Sequence, residues 1–250
     1  MGNYQEEKNI KSKVCYIFLL DQSGSMYGKR IELSRKSLLL FLQSLDENCY
    51  FQLIGFGSDF KFFSEKPLEY NKENIKNLMD TIKKLGADRG GTQLYAPLKK
   101  IYDDNIYNEY NMQKNIILLT DGELFDKEKV INLIGANSQR FKFNSLGICF
   151  CDKDLIERTA LMGNGYSFYI SDLNQLNSIV ISLYEKTRNS LNINCKVYQK
   201  CFIEDDDNYT INKYDCFKYG FILTQTGMTK ITKKINFIIE GKIMVFDKKI

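Results

Sequence analysis

Residues 14–20, Val-Cys-Tyr-Ile-Phe-Leu-Leu, are apolar or aromatic without a break, and residue 21 is an aspartate. A half-buried strand would alternate with polar residues, so an unbroken run of this length fits a strand covered on both faces. Such a strand needs helices above and below it, and helical spacing follows at once. Ile31, Leu33, Leu38, Leu39, Phe41, Leu42 and Leu45 recur on one face, predicting a helix over 29–46. The succession repeats along the chain. Strands are predicted at 50–56, 115–120, 142–149 and 166–170, with an edge piece at 60–63. Helices are predicted at 72–85, 93–107, 127–139, 153–162 and 173–188, and a glycine loop at 86–91. Strands alternating with helices imply right-handed crossovers. The expected fold class is therefore α/β, a doubly wound, mainly parallel sheet flanked by helices, over residues 14–188. Residues 1–13 read as an N-terminal extension. Beyond 188 the helical period stops, and extended stretches at 193–202, 214–224 and 231–246 predict a short β-rich segment over 189–250.

Composition narrows the function classes. The chain is 44% hydrophobic and 26% charged, an ordinary folded balance. Its net charge of +4 comes from Lys and Arg scattered among acids, whereas a nucleic-acid footprint gathers them on one face. No apolar run approaches the roughly 20 residues that a membrane helix needs, so no span is expected. Histidine is absent, which removes the usual general base and the imidazole metal ligand and counts against an enzyme. The seven cysteines lack paired zinc spacing, and the first residues form no apolar signal core; reduced thiols and a cytoplasmic protein are expected. Cys149 and Cys151, either side of Phe150, are expected to pack. A glycine at position 2 invites myristoylation, but position 6 is Glu where Ser or Thr is wanted.

In open α/β sheets ligands gather beyond the carboxyl ends of the strands. After the first strand comes Asp21-Gln-Ser23-Gly-Ser25, with oxygen-bearing side chains at every second position of an extended loop. Asp121 follows the strand at 115–120, and the pair Gly90-Gly91 delivers Thr92 before a helix. Asp21, Ser23, Ser25, Thr92 and Asp121 are thus candidate ligands of one hard divalent cation, Mg²⁺ first, with Mn²⁺ or Ca²⁺ as alternatives. Two carboxylates balance the ion's charge and the hydroxyls add none. The ion stays electrophilic.

These residues, with Thr120-Asp-Gly122, resemble the metal-ion-dependent adhesion site of von Willebrand factor A domains. Ser23-Gly-Ser-Met26 with Gly28, Ile54-Gly-Phe-Gly57-Ser58 and Leu85-Gly-Ala-Asp-Arg-Gly-Gly-Thr92 are similar to the inter-alpha-trypsin inhibitor heavy-chain branch. The resemblance spans about 14–188. It implies metal coordination, direct or through water, by the five donors, and a protein partner whose acidic side chain completes the coordination. Relatives in that branch typically carry a β-rich domain ahead of the A domain; thirteen residues precede Val14 in this sequence.

Other readings stand beside this one. The chain could be a structural subunit of a large intracellular assembly, with its β-rich tail docking to neighbours. A catalytic reading would make Asp21 a phosphoryl-transfer nucleophile, but such enzymes carry a second acid where this chain has Ser23. Glu123 and Asp126 are expected to cap the next helix, and Asp88 and Arg89 to pair at the surface or hold the Thr92 loop. Phe60, Phe62, Phe63, Phe141 and Phe143 are expected to pack in the core.

Overall fold

The computed structural model describes residues 13–47, 49–108, 112–122, 124, 126–188, 196–202, 211–215, 232–239 and 242–248. It divides into two compact units, Met1–Asn189 and Ser190–Ile250.

The strands of the first unit are β1 (Val14–Asp21), β2 (Cys49–Phe56), β3 (Phe60–Phe62), β4 (Leu68–Glu69), β5 (Gln113–Thr120), β6 (Lys142–Ile148) and β7 (Ser167–Ile170). Its helices are α1 (Lys29–Ser44), α2 (Lys72–Ile82), α3 (Tyr95–Asp103), α4 (Lys127–Asn137), α5 (Lys153–Met162) and α6 (Leu173–Arg188). The sheet runs β3-β2-β1-β5-β6-β7, with β4 also on β2. Pairing is parallel except where β3 and β4 meet β2.

β1 is buried at all its positions. Its alternating side chains serve two cores, one on each face. Val14, Tyr16, Phe18 and Leu20 pack with residues of α1, α2 and α6, while Cys15, Ile17 and Leu19 pack with those of α3 and α4. Each fully buried aliphatic side chain is worth about 1.5–3 kcal/mol relative to exposure. Phe141 and Phe143 are buried as expected; Phe60, Phe62 and Phe63 are half-buried. The chain builds outward from β1 to β2, then crosses back to place β5 on the other side of β1. The switch point of strand order lies between β1 and β5, and there ligands gather.

Several boundaries differ from expectation. The helix expected at 93–107 stops at Asp103, because Asp104 turns to extended geometry (φ −76°, ψ 122°). The Asp104 carboxylate instead accepts from the Ile106 amide at 3.0 Å, starting a single 3-10 turn, Asn105–Tyr107. β6 ends one residue short of 149, where Cys149 adopts φ 56°. β4, two residues long, was not expected at all.

The second unit contains β8 (Lys196–Phe202), β9 (Ile211–Asp215), β10 (Thr232–Ile239) and β11 (Lys242–Lys248), an antiparallel sheet ordered β11-β10-β8-β9. The extended stretch read at 231–246 holds two antiparallel strands, with Ile239 paired to Lys242. Of the stretch read at 214–224, residues 216–224 lie outside the described residues.

Candidate metal centre

Asp21 is the last residue of β1 and is fully buried. Its Oδ1 accepts the Ser23 amide at 2.8 Å, which bends the chain into the 3-10 turn Gly24–Met26. That turn sets the Ser23 and Ser25 hydroxyl oxygens 3.0 Å apart. The loop bearing Thr92 is tied to this one through the backbone. Gly24 N donates to Gly90 O at 2.8 Å and Arg89 N donates to Gln22 O at 2.9 Å. Thr92 itself is buried.

A part-buried side-chain clamp holds the two loops. Gln22 Nε2 donates to Gly86 O at 2.8 Å, and Gln22 Oε1 accepts from Arg89 Nε at 3.1 Å. The Arg89 guanidinium then reaches Asp59 Oδ1 at 2.7 Å. The clamp exists because β2 and the turn after it carry glycines. A Cβ on Gly55 would lie 2.0 Å from Gln22 Oε1, and one on Gly57 would lie 2.3 Å from Arg89 Cβ. A side chain at Gly57 would run into the Arg89 backbone, and one at Gly55 would push the Gln22 amide out of the clamp.

Asp121 enters from the other side of the switch point, directly after β5. Thr120 Oγ1 donates to Asp21 Oδ2 at 2.5 Å and accepts from Gly122 N at 2.9 Å, stitching the ends of β1 and β5. Asp121 is buried, and among the described residues neither of its carboxylate oxygens has a hydrogen-bond partner. Its nearest cation is Arg30, with Nη1 3.6 Å from Oδ2. The same Nη1 donates to Ser25 O at 2.7 Å, so Arg30 spans from the serine loop to Asp121.

Two carboxylates are therefore buried together. Burial pushes the Asp21 carboxyl up to about 6, against the hydrogen bonds from Ser23 and Thr120 that favour its charged form, and the charge of Asp121 adds to the rise. A buried carboxylate without a donor is costly, and a cation relieves the cost. Among the described residues no three His, Cys, Asp or Glu cluster together. The donors at this edge are two carboxylates with neighbouring hydroxyls, a chemistry suited to a hard cation that keeps some of its waters.

The sequence pattern of the family described as von Willebrand factor type A domain matches residues 16–168. The chain belongs to this family. The A domain is 35% identical over 172 residues to von Willebrand factor A domain-containing protein 5A of Rattus norvegicus, covering 64% of this chain and 21% of that protein. It is 33% identical over 175 residues to a von Willebrand factor A domain-containing protein of Dictyostelium discoideum, covering 70% of this chain and 19% of the relative. The chain thus spans about a fifth of the length of these curated relatives. Among solved structures, a von Willebrand factor type A protein from Catenulispora acidiphila superposes with a TM-score of 0.66 at 14% identity, covering 94% of this chain and 64% of that one. Proximal thread matrix protein 1 from the mussel byssus, described with zinc occupying its MIDAS motif, superposes with a TM-score of 0.57 at 15% identity over 71% of this chain and 46% of that one. These structures share the A-domain fold.

Some expectations around the site are corrected. Of the two readings of Asp88 and Arg89, the structure departs from the surface pair: Arg89 pairs with Asp59, and its side chain folds inward over Gly57 to Gln22, tying the Thr92 loop to the serine loop. Asp126 does stand at the start of α4, but at φ −115°, ψ 42° its side chain makes no capping bond. Glu123, read as a second cap, lies outside the described residues. Cys151 does pack, its Sγ 2.5 Å from where a Cβ on Gly147 would sit. Sequence reading missed Arg30, Gln22 and Thr120 as parts of the site. Thr120 and Gln22 sit inside the two motifs themselves. Arg30 showed only as a charge in the first turn of α1.

Proposed function

We propose that this A domain binds a divalent cation, Mg²⁺ by preference, through Asp21, Ser23, Ser25, Thr92 and Asp121, and uses it to bind another protein. The observation that carries the reading is Asp121, buried without a hydrogen-bond donor at the switch point beside a second buried carboxylate. Bound there, the cation would act as an electrophile toward an acidic side chain of the partner. The chain's own residues prepare for it. Thr120 orients Asp21, the Gln22–Arg89–Asp59 clamp holds the Thr92 loop against the serine loop, and burial keeps water from the carboxylates. We place the chain with the inter-alpha-trypsin inhibitor heavy-chain branch on its glycine-rich motifs around Gly55, Gly57 and Gly90. We also place it in the cytoplasm, on the free thiols of Cys15, Cys49, Cys149 and Cys151. Binding without catalysis is the role proposed, and the lack of histidine supports it.

Calorimetric titration of EDTA-stripped protein with Mg²⁺ or Mn²⁺ tests the metal. Saturable binding that Asp21→Ala abolishes is expected; no binding, or equal binding by the variant, defeats the reading. Affinity purification with and without EDTA then tests the partner, whose retention should require the cation.

A second reading, a structural subunit of a larger assembly, draws on the antiparallel sheet of the second unit, in which β9 and β11 are edge strands. Edge strands offer unpaired backbone to another chain. Co-purifying partners indifferent to EDTA would favour it.

A further inference from the structure

Among the described residues, the two most exposed large hydrophobic side chains are Phe150, 93% exposed, and Tyr27, 83% exposed. Single apolar side chains on a surface are ordinary, so position has to decide. Tyr27 lies two residues after Ser25, its amide donating to Gly24 O at 3.2 Å. Phe150 lies in the loop between β6 and α5, where the Asp152 amide donates to Asp121 O at 2.9 Å. Each aromatic is therefore carried on a loop bonded to one half of the donor set. Both loops leave the carboxyl ends of parallel strands, and β1 and β6 are separated in the sheet only by β5. With strands spaced about 4.8 Å apart, their ends stand roughly 10 Å apart.

The local backbone shows what displays these rings. Met26, just before Tyr27, is fully buried, so the chain spends its apolar neighbour on the core and leaves the tyrosine outside. Cys149 sits at φ 56°, a left-handed conformation that costs a residue with a Cβ about 1–2 kcal/mol. Its turn breaks the strand between Ile148, fully buried, and Phe150, almost fully exposed. Strain held beside a ligand site is a recurring sign of function. Leu173, 52% exposed, opens α6 after β7 and extends the apolar rim one strand outward.

We infer that Tyr27 and Phe150 form two apolar contacts flanking the cation, and that the partner protein offers a carboxylate flanked in its own sequence by apolar side chains. This rests on the metal-dependent reading above. Charge complementarity selects the occupant. With a cation bound and its charge balanced by Asp21 and Asp121, the Arg30 guanidinium, 31% exposed, would leave the centre net positive, and the exposed rings flank it with surface that water leaves favourably. Apolar contact around an ion pair excludes water and raises the worth of the charge interaction. A uniformly acidic segment would meet the centre and leave the rings wet.

The test is selection of a phage-displayed peptide library, with one fixed central glutamate and random flanks, on the 250-residue chain in Mg²⁺. The expected result is EDTA-eluted peptides rich in apolar flanks. A double variant, Tyr27→Ser with Phe150→Ser, should bind those peptides roughly tenfold or more weakly, with unchanged Mn²⁺ affinity and melting temperature. EDTA-eluted glutamate peptides without flank preference would overturn the docking surface and leave the metal reading standing. Peptides held equally in EDTA, or none held, would defeat the metal reading and this inference with it. A Mg²⁺-dependent dimer lost in the double variant would give the surface to a second copy and overturn the proposal, as would a fall in the variant's melting temperature.

Discussion

The amino half of the central sheet and its carboxyl edge both bury polar side chains, but they treat them differently. In the amino half every amide has its match. Gln52 Nε2 donates to Ser64 O at 2.8 Å and its Oε1 accepts from the Tyr107 hydroxyl at 2.5 Å; Asn144 Nδ2 donates to Ile116 O at 3.2 Å and its Oδ1 accepts from Tyr166 N at 3.1 Å. At the carboxyl edge Asp21 is similarly matched by Ser23 and Thr120, yet Asp121, equally buried, has an ion pair at 3.6 Å and no hydrogen bond among the described residues. The buried amides of the amino half serve stability. The carboxyl edge carries a cost that folding alone does not remove, and a bound cation would remove it.

The largest effect expected from this contrast is on metal affinity. Asp121→Ala takes away charge and donor together, and should weaken Mn²⁺ binding by at least about 100-fold, the upper figure for losing a mere outer-shell partner. Its metal-free stability should not fall, because the side chain removed was unmatched. Calorimetry and melting in EDTA read the two quantities separately. A variant that melts well below the wild type in EDTA would show Asp121 to be structural and erase the contrast.

In the amino half the reverse pattern is expected. Asn144→Ala removes the hydrogen bonds to the Ile116 carbonyl and from the part-buried Tyr166 amide, a loss of about 2–3 kcal/mol. That corresponds to a fall of roughly 5–10 °C in melting temperature for a domain of this size. Mn²⁺ affinity measured below the transition should be unchanged. Loss of metal binding in this variant would mean the two halves are not separable.

The contrast also sets how much could be read before the fold was known. The alternation of elements and the position of both acids follow from where apolar runs stop, since β1 ends at Asp21 and β5 at Thr120. Contacts across the fold do not follow. Gln22 meets Arg89 from 67 positions away, and Arg30 meets Asp121 from the far side of four strands and two α-helices in sequence. The helix is expected to reach 107 because Ile106 and Tyr107 continue its apolar period, but it stops at Asp103, where Asp104 turns extended and caps a separate turn. Phe150 reads only as the residue between two cysteines at the end of an apolar run, and the left-handed turn at Cys149 is what reveals that it faces solvent. β4, Leu68–Glu69, is shorter than any period can register.

A smaller effect comes from Asp21. Its carboxyl, raised to about 6 by burial, holds its proton more tightly in the folded chain than in the unfolded one. The stability this contributes is whole below the ordinary value near 3.8 and is lost as pH rises through about 6. Asp21→Asn removes the titration. In EDTA the wild type should lose about 1–2 kcal/mol relative to the variant between roughly pH 4 and pH 7. Melting curves that stay parallel across that window would show that the buried edge bears no such cost without metal.

The smallest effect sharpens the contrast most. Arg30 bridges Ser25 O and Asp121 Oδ2, standing beside a buried carboxylate with no hydrogen-bond donor among the described residues. A fixed positive charge there partly offsets the two acids when no metal is bound, and opposes a divalent cation when one arrives. Arg30→Gln keeps a donor for the Ser25 carbonyl and removes the charge. At an ion separation of about 6 Å and near-aqueous screening the repulsion relieved is about 1 kcal/mol, so Mn²⁺ affinity should rise about fivefold. Metal-free stability should fall slightly, because the two acids lose their nearby cation. These opposite signs separate a charge-compensating arginine from a ligand-positioning one, whose loss would weaken both metal binding and the fold.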